Sequence, residues 1–378
     1  MSDVVASSCW RTLFAGIPRA VFIPDIIWVD GGSGDALVPL SRHIDPDGWN
    51  AAVAANAPVI TQVDFGATPT GQKGSVPSSS CSQPSIVADM LEALDVRPGQ
   101  SVLEIGTGTG WNAALLAHLV GEHGRVVTIE VDPCLAQDAR RALATTGCHP
   151  LVITGDGLAG YSPGAFYDRV ISTAAIREVV PPAWLDQLQP GGRLVTPWGT
   201  DWSNGVMLTL DFAPTGVASG RFSGDLAFMR LRSQRRALHG WQPAADDIER
   251  AEISTTACRG SDLDRMLNPA KGTFAIGARL ASCCLVIEWD KHGRLHHSLE
   301  LDDHATKSWA RLDANLNDPA PLAVWQLGPR KLWDEAEAAY DWWHEQGEPG
   351  LDRFGFHSHG NRQWIWLDEP DNVVRRLS

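Results

Sequence analysis

Among the 378 residues there is no C-x-x-C pair, and the cysteines number an odd seven: Cys9, Cys81, Cys134, Cys148, Cys258, Cys283 and Cys284. This excludes a paired disulfide framework and a structural zinc site of the usual spacing, and leaves most of these thiols as small buried side chains. No apolar run is long enough to span a bilayer, and the start, MSDVVASSCWRTLF, lacks the basic and apolar regions of a signal peptide. A cytoplasmic protein without a membrane partner is the expectation. Net charge is −14, which repels a nucleic-acid backbone, so no nucleic-acid partner is expected. One stretch opposes that balance. Arg230, Arg232, Arg235, Arg236 and His239 crowd together, either as a solvated face or as a local dock for an acidic peptide.

What is present is an ordinary globular composition, 44% hydrophobic and 20% charged, with room for one large or two ordinary domains. Residues 1–77 form an N-terminal segment expected to pack on the core. It holds a possible helix in Arg11–Trp28 running into extended AVFIPDIIWV. Asp64–Ser80, rich in Gly, Pro, Ser and Thr, reads as a flexible loop. From Gln83 the pattern turns regular. Helical spacing over Pro84–Leu94 is followed by a strand at 101–105, a helix over Trp111–Val120 and a strand at 125–131. A helix over Pro133–Thr146 follows, with Asp132 as N-cap and Pro133 in its first turn. Strands at 150–156, 167–173 and 192–198 flank a short helix at Pro181–Leu188. Strands alternating with helices predict a parallel α/β sheet covered on both faces. Residues 205–212 and 223–232 are candidate antiparallel strands completing a domain over 78–239. Ten of the sixteen tryptophans fall after Gly199, and 240–378 reads as a smaller domain of mixed type, a candidate peptide-binding unit.

The turn Glu104-Ile-Gly106-Thr-Gly108-Thr-Gly110-Trp111 lies between a strand and a helix, where glycines bring backbone N–H groups close to a ligand. A dinucleotide fingerprint needs Gly or Ala where Trp111 stands, and no Gly-Lys-Ser/Thr follows for a P-loop. Glu104 suits a cationic group such as a methionine ammonium better than a pyrophosphate. Glu130, ending the second strand, can accept both hydroxyls of a ribose. Asp156, within Gly155-Asp156-Gly157, is placed to meet an adenine edge. Glu130 and Asp156 could instead merely cap helices. Together, acid, glycine turn and two further acids at successive strand ends describe S-adenosyl-L-methionine (SAM) better than a nucleotide phosphate.

SQPSIVADMLEALDVRPGQSVLEIGTGTGWNAALLAHLVG, GDGLAGYSPGAFYDRVISTAA and PPAWLDQLQPGGRLVTPWG resemble three signatures of the protein-L-isoaspartate O-methyltransferases, over residues 78–199, with a weaker likeness at IPRAVFIPD. The resemblance implies a Rossmann-like class I SAM-dependent methyltransferase sheet with an additional C-terminal domain, and a carboxyl O-methyltransferase acting on peptide. By position it makes Ser82 the active-site serine, Gly106, Gly108 and Gly110 the cofactor loop, Glu130 the ribose ligand and Asp156 the residue near the adenine. Ser80 is a candidate assistant to Ser82, and Glu104, Thr107, Trp111, Val131 and Gly157 complete the candidate cofactor set. Ser80-Cys81 stand where the family usually has Thr-Ile, and Ser85 where bacterial members carry an aromatic residue. The tail RFGFHSHGNRQWIWLDEPDN resembles actinobacterial relatives encoded beside ribosomally made peptide natural products. These methylate an aspartate of a modified precursor peptide, and the ester closes to aspartimide and opens to isoaspartate.

An aspartate, with a reference pKa near about 3.9, is ionised at neutral pH and needs no general base to accept a methyl group. The protein's task is alignment and exclusion of water. Ser82 can hold one carboxylate oxygen and aim the other, or it can belong to a linker and helix cap, the reading that suits Ser78 and Ser79 better. A nucleophilic Cys81 has no role in direct methyl transfer. His296, His297 and His304, and the pair His357 and His359, admit metal ligation, but without matching Cys or acidic spacing they read as surface or hydrogen-bonded residues. Three functions are therefore carried forward: tailoring of a precursor peptide, general isoaspartate repair, and a binding module without catalysis.

Overall fold

The computed structural model describes residues 8–32, 36–235, 241–268, 272–289, 295–312 and 321–377. Three sheets organise them. The first belongs to the N-terminal segment. Helix α1 (Ser8–Gly16) is followed by strands β1 (Ile26–Asp30) and β2 (Leu37–Ser41), helix α2 (Pro46–Ala54), and strands β3 (Val59–Val63) and β4 (Pro77–Cys81), in the antiparallel order β2-β1-β3-β4. The helix expected over Arg11–Trp28 stops at Gly16, because Pro18 follows and disfavours helix in the residue before it.

The loop expected over Asp64–Ser80 also ends early. Ser78, Ser79 and Ser80 belong to β4, whose Ser80 and Cys81 pair with Ile60 and Val59. Serine-rich composition concealed this strand. Its partner β3 alternates buried and half-buried residues, and that pattern draws the polar segment into register.

Helix α3 (Pro84–Leu94) matches its expected span, with Pro84 in its first turn and Asp95 left-handed at its end. Then come β5 (Ser101–Ile105), α4 (Trp111–Val120), β6 (Arg125–Glu130), α5 (Pro133–Thr145), β7 (Leu151–Thr154), β8 (Tyr167–Ser172), the short β9 (Ile176–Arg177), α6 (Pro182–Asp186) and β10 (Leu188–Gly199). Strands β10-β8-β5-β6-β7 pair in parallel. Asp132 caps α5 by accepting N–H bonds from Cys134 and Leu135 at 2.9 and 3.3 Å. Successive strand residues enter opposite cores: Val102, Val126, Ile171 and Val195 face α3, α4 and the N-terminal segment, while Leu103, Val127, Val170 and Leu194 face α6 and the C-terminal region. Each such fully buried side chain contributes about 1.5–3 kcal/mol. This is the Rossmann-like α/β sheet that the sequence predicts.

Beyond β10 the sheet continues antiparallel through β11 (Asn204–Phe212) and β12 (Val217–Ser223). The second strand thus precedes the 223–232 expected for it. A separate five-stranded antiparallel sheet follows, built from β13 (Glu252–Thr256), β14 (Cys284–Trp289), β15 (Leu295–Asp303), β16 (Ser308–Leu312) and β17 (Leu322–Leu327), and packed by the helix Leu332–Glu345.

The remaining strands, β18 (Phe354–His359), β19 (Arg362–Leu367) and β20 (Val373–Arg376), return to the main sheet beside β12. The region expected as one mixed domain from 240 onward therefore divides. Its tryptophan-rich tail completes the first sheet, where Gln363 exchanges hydrogen bonds with the backbone of Val180 at 2.8 and 2.9 Å. Arg375 pairs with Glu178 at 3.0 Å. The tail thereby fixes the chain just beyond β9. No helix of the described residues is long and apolar enough to cross a membrane.

Candidate active site

One cavity of about 770 Å³ opens at the carboxyl ends of β5, β6 and β8. Ser80, Ser82, Gly106, Thr107, Gly108, Trp111, Glu130, Val131, Asp156 and Gly157 all line it. Residues from four separate expected segments thus meet at the switch-point crevice where ligands of α/β sheets bind.

The turn after β5 has Gly106, Gly108 and Gly110 at φ 94°, 53° and 91°. At Gly106 an added Cβ would lie 2.8 Å from Thr173 Oγ1. Gly106→Ala is therefore expected to cost about 2 kcal/mol of stability, from the left-handed backbone and the displaced threonine together, read as a lower denaturant midpoint with an unchanged slope. Gly108 lies opposite β4, its virtual Cβ 3.7 Å from the Ser80 carbonyl and 3.9 Å from Ser79 Oγ. The glycine turn and the serine strand are thus two walls of one slot.

Glu130 is 6% exposed. Its Oε2 accepts the Gly108 N–H at 2.9 Å and its Oε1 accepts that of Asp132 at 3.0 Å. Burial raises its pKa and the two N–H bonds oppose the rise. Each oxygen keeps a second lone pair for a ligand hydroxyl. Beside it Val131 is an exposed apolar surface, 40% accessible. Asp156, an exposed residue, uses one oxygen to cap the following turn at Leu158 N, 3.0 Å away. Capping and cavity lining therefore coexist in this residue.

Three expected site residues serve the cavity differently from the roles foreseen. Glu104 is fully buried under the turn and does not line the cavity. Asn112 Nδ2 donates to its Oε1 at 2.7 Å and Thr128 Oγ1 to its Oε2 at 2.6 Å. A methionine ammonium would meet Asn112, which does line the cavity, and Glu104 would act through it. Gly110 starts α4 and packs against Ala139 and Leu143, which a Cβ would meet at 3.3 and 3.4 Å. Trp111 turns its ring away to Phe14 and donates from Nε1 to the Ile17 carbonyl at 2.9 Å, tying the N-terminal segment to the turn.

Burial pushes the Glu104 carboxyl up to about 7, against the hydrogen bonds from Thr128 and Asn112. Because this lies above the ordinary glutamate value of 4.5, the folded state binds the proton more tightly. This group's contribution to stability is then full below pH 4.5 and is lost as pH rises toward 7. Glu104→Gln should flatten the fall in melting temperature across that window, measurable by calorimetry at a series of pH values.

On the acceptor side, Ser78 and Ser79 are engaged within the protein. Ser78 Oγ donates to Gln62 at 2.8 Å, and Ser79 Oγ accepts from Thr61 at 3.3 Å. No hydrogen bond ties the hydroxyl of Ser80 or Ser82 to another described residue, and both line the cavity. Cys81 points into the core, 1% exposed, its thiol pushed up to about 11 by burial beside Arg19. It stays protonated at neutral pH and out of the chemistry.

Sequence reasoning missed the wall formed by residues 225–235. Leu226, Phe228, Met229, Arg230, Arg232 and Arg235 line the cavity, on chain pinned across the end of β8 by Ala175 N–Met229 O (2.9 Å) and Leu231 N–Ala175 O (3.0 Å). The arginine cluster was the available signal. Arg236 and His239 of that cluster lie outside the described residues, as do the side chains of His296 and His297. His357 stacks on Trp364, ring centroids 4.3 Å apart, away from the cavity.

The donor set fits SAM: an acidic strand end with spare lone pairs, an apolar platform, an acid by the third strand and a glycine turn. Fold and site together define a class I SAM-dependent methyltransferase. The profile of the protein-L-isoaspartate(D-aspartate) O-methyltransferases matches residues 67–232. The protein-L-isoaspartate O-methyltransferase of Pyrococcus horikoshii is 40% identical over 162 residues, 43% of this chain and 70% of the relative. That of Methanopyrus kandleri is 49% identical over 152 residues, 40% of this chain and 66% of the relative. The chain belongs to the protein-L-isoaspartate O-methyltransferase family. A solved structure of a protein-L-isoaspartate O-methyltransferase superposes with a TM-score of 0.52 at 19% identity, covering 96% of each chain, so the fold is shared through the C-terminal region as well.

Proposed function

We propose that the protein transfers the methyl group of SAM to the side-chain carboxylate of an isoaspartyl residue in a peptide. The observation that carries this reading is the slot between Gly108 and Ser80, where two untied hydroxyls, Ser80 and Ser82, share one cavity with the donor residues. No His or Lys lines that cavity among the described residues. An alcohol acceptor would need a general base, for which the cavity offers the carboxylates Glu130, Asp156 and Asp225, whereas a peptide carboxylate is already the reactive ion at neutral pH.

Bound SAM supplies an electrophilic methyl group on a sulfonium. The protein's own residues do the rest. Glu130 and Asp156 hold the nucleoside part by its hydroxyls and base edge. Asn112, oriented by Glu104, receives the ammonium end. Ser82 donates to one acceptor oxygen and leaves the other aimed along the slot, with Ser80 as a second donor. Leu226 and Phe228 close the slot against water. Alignment of this kind is worth up to roughly 7–11 kcal/mol of barrier. The ester is a better electrophile than the acid. Attack by the following backbone nitrogen then gives the five-membered aspartimide with loss of methanol, and water opens it to aspartate or isoaspartate.

A second reading, methylation of an aspartate in one modified precursor peptide, is favoured by Ser80-Cys81 at the acceptor wall and by the arginines at its mouth. The C-terminal region does not separate the two readings, because a fold of the same extent occurs in a structure that carries the repair enzyme's name. Mass spectrometry with methyl-labelled SAM on paired Asp and isoAsp peptides tests both. Transfer to isoAsp peptides of unrelated sequence supports repair. Transfer confined to an Asp peptide supports tailoring. No transfer to either, with SAM bound, leaves the binding-module reading.

A further inference from the structure

We propose that Arg232 and Arg235, mounted on Phe65, form a cationic rim at the acceptor mouth that selects peptides carrying a second carboxylate a few residues from the one to be methylated. This rests on the carboxyl-transfer reading above and names its preferred substrate class.

The chain carries a net charge of −14, yet two guanidiniums converge on this one mouth. Arg235 lies 4.6 Å and Arg232 5.3 Å from the centroid of the Phe65 ring. That ring is 43% exposed, unusual for so large an apolar group. It is displayed by a built turn in which Asp64, Phe65 and Gly66 have φ of 50°, 56° and 79°. The turn is held by the Asp64 carboxylate, which accepts from Thr68 Oγ1 at 2.5 Å and Val76 N at 2.9 Å, and by Ser78 Oγ, which accepts from Phe65 N at 3.0 Å. Backbone held in such sparsely populated conformations concentrates at ligand clamps.

Charges facing the rim neutralise it only in part: Asp132 and Glu130 both act on Arg232, whereas no carboxylate pairs with Arg235 among the described residues. Asp132 pairs with Arg232 at 3.3 Å, but also accepts from Gln62 at 3.1 Å and caps α5 through Cys134 N at 2.9 Å. Among the described residues, the Arg235 guanidinium reaches the Pro77 carbonyl alone, at 3.5 Å. Burial, and the Arg232 charge next to it, hold the Arg235 guanidinium below its usual range. An anion placed between the two relieves that repulsion and gains paired hydrogen bonds from planar donors.

The geometry separates this anion from the acceptor. Arg235 touches the start of β4 at Pro77, and Ser82 follows its end. Five residues of strand span roughly 16 Å, too far for one carboxylate to meet both. An extended peptide covers that span, less the reach of its side chains, in about two to four residues.

The test uses a set of short peptides with Asp or isoAsp at the acceptor position and Asp, Asn or Lys three residues to either side, with labelled SAM. For wild type we expect kcat/KM at least tenfold higher for the acidic-flank peptide than for the Asn peptide, and lowest with Lys. In Arg235→Gln the acidic-to-neutral ratio should fall toward one while the Kd for SAM is unchanged. Arg235→Lys should restore part of the ratio, and Arg232→Gln should lower it. Equal wild-type rates for acidic and neutral flanks, or a ratio that survives both glutamine variants, overturns the rim alone. Failure to methylate any peptide while SAM binds overturns the carboxyl-transfer reading, and the rim with it.

Discussion

Glu130→Ala is expected to raise the Kd for SAM at least a hundredfold, measured by calorimetric titration. Two losses add. The carboxylate anchors the glycine turn through Gly108 N at 2.9 Å and the α5 start through Asp132 N at 3.0 Å. Without it, two N–H groups near the cavity floor lose a charged acceptor in the free and bound protein alike, which weakens affinity by loosening the turn. The ribose hydroxyls proposed to use the remaining lone pairs lose theirs too, at about 1.5–3 kcal/mol each. A hundredfold change needs only about 2.7 kcal/mol, so the expectation is conservative. Glu130→Gln keeps one acceptor oxygen and should lie between, near tenfold. Because burial raises the Glu130 pKa, SAM affinity should begin to fall at a higher pH than for an ordinary carboxylate as the solution is acidified. A Glu130→Ala protein that stays folded and binds SAM as tightly as wild type would place the donor elsewhere.

The part of the molecule legible in the sequence is the part governed by local signals. Pro84, Asp132 with Pro133, and the glycine turn fix where helices start. The short apolar runs in SVLEI and RVVTIE mark strands that are buried on both faces. Glu130 and Asp156 were found because they follow such strands directly. What was not legible depends on partners distant in the chain. The serine strand β4 is defined by pairing with β3. The hairpin β18–β19 reaches the main sheet through Val217–His359 pairing and through Gln363 on Val180, 183 residues apart. No local pattern encodes such contacts. The same holds for the cavity wall at 225–235, most of which the sequence suggests as a strand and which is instead placed by hydrogen bonds to Ala175. Glu104 shows the converse. Its position before the glycines suggested ligand contact, but only the packed structure shows it fully buried and off the cavity wall, with Asn112 and Thr128 on its two oxygens.

Ser82→Ala is expected to lower kcat/KM for the acceptor peptide about 10- to 100-fold at saturating SAM, with the Kd for SAM unchanged. The removed interaction is one hydrogen bond to a charged acceptor, worth about 1.5–3 kcal/mol, and each 1.36 kcal/mol is a factor of ten in rate. Donor binding is spared because Ser82 shares the cavity with Glu130 and Asp156 but bonds to neither. Ser80→Ala should cost less, since the resemblance gives Ser82 the leading position. Cys81→Ser should leave the rate nearly unchanged if it folds, its thiol being buried and protonated. The pH profile separates alignment from base catalysis. If Ser82 only positions an acceptor that is already ionised, the alanine variant keeps the shape of the wild-type profile, because a carboxylate of pKa near 3.9 is fully charged from about pH 6 upward and any change left there, such as that of Glu104, is common to both. A new basic limb in the variant's profile would instead mean that a proton leaves in the rate-limiting step, and the carboxylate acceptor would have to be given up for a hydroxyl or amine.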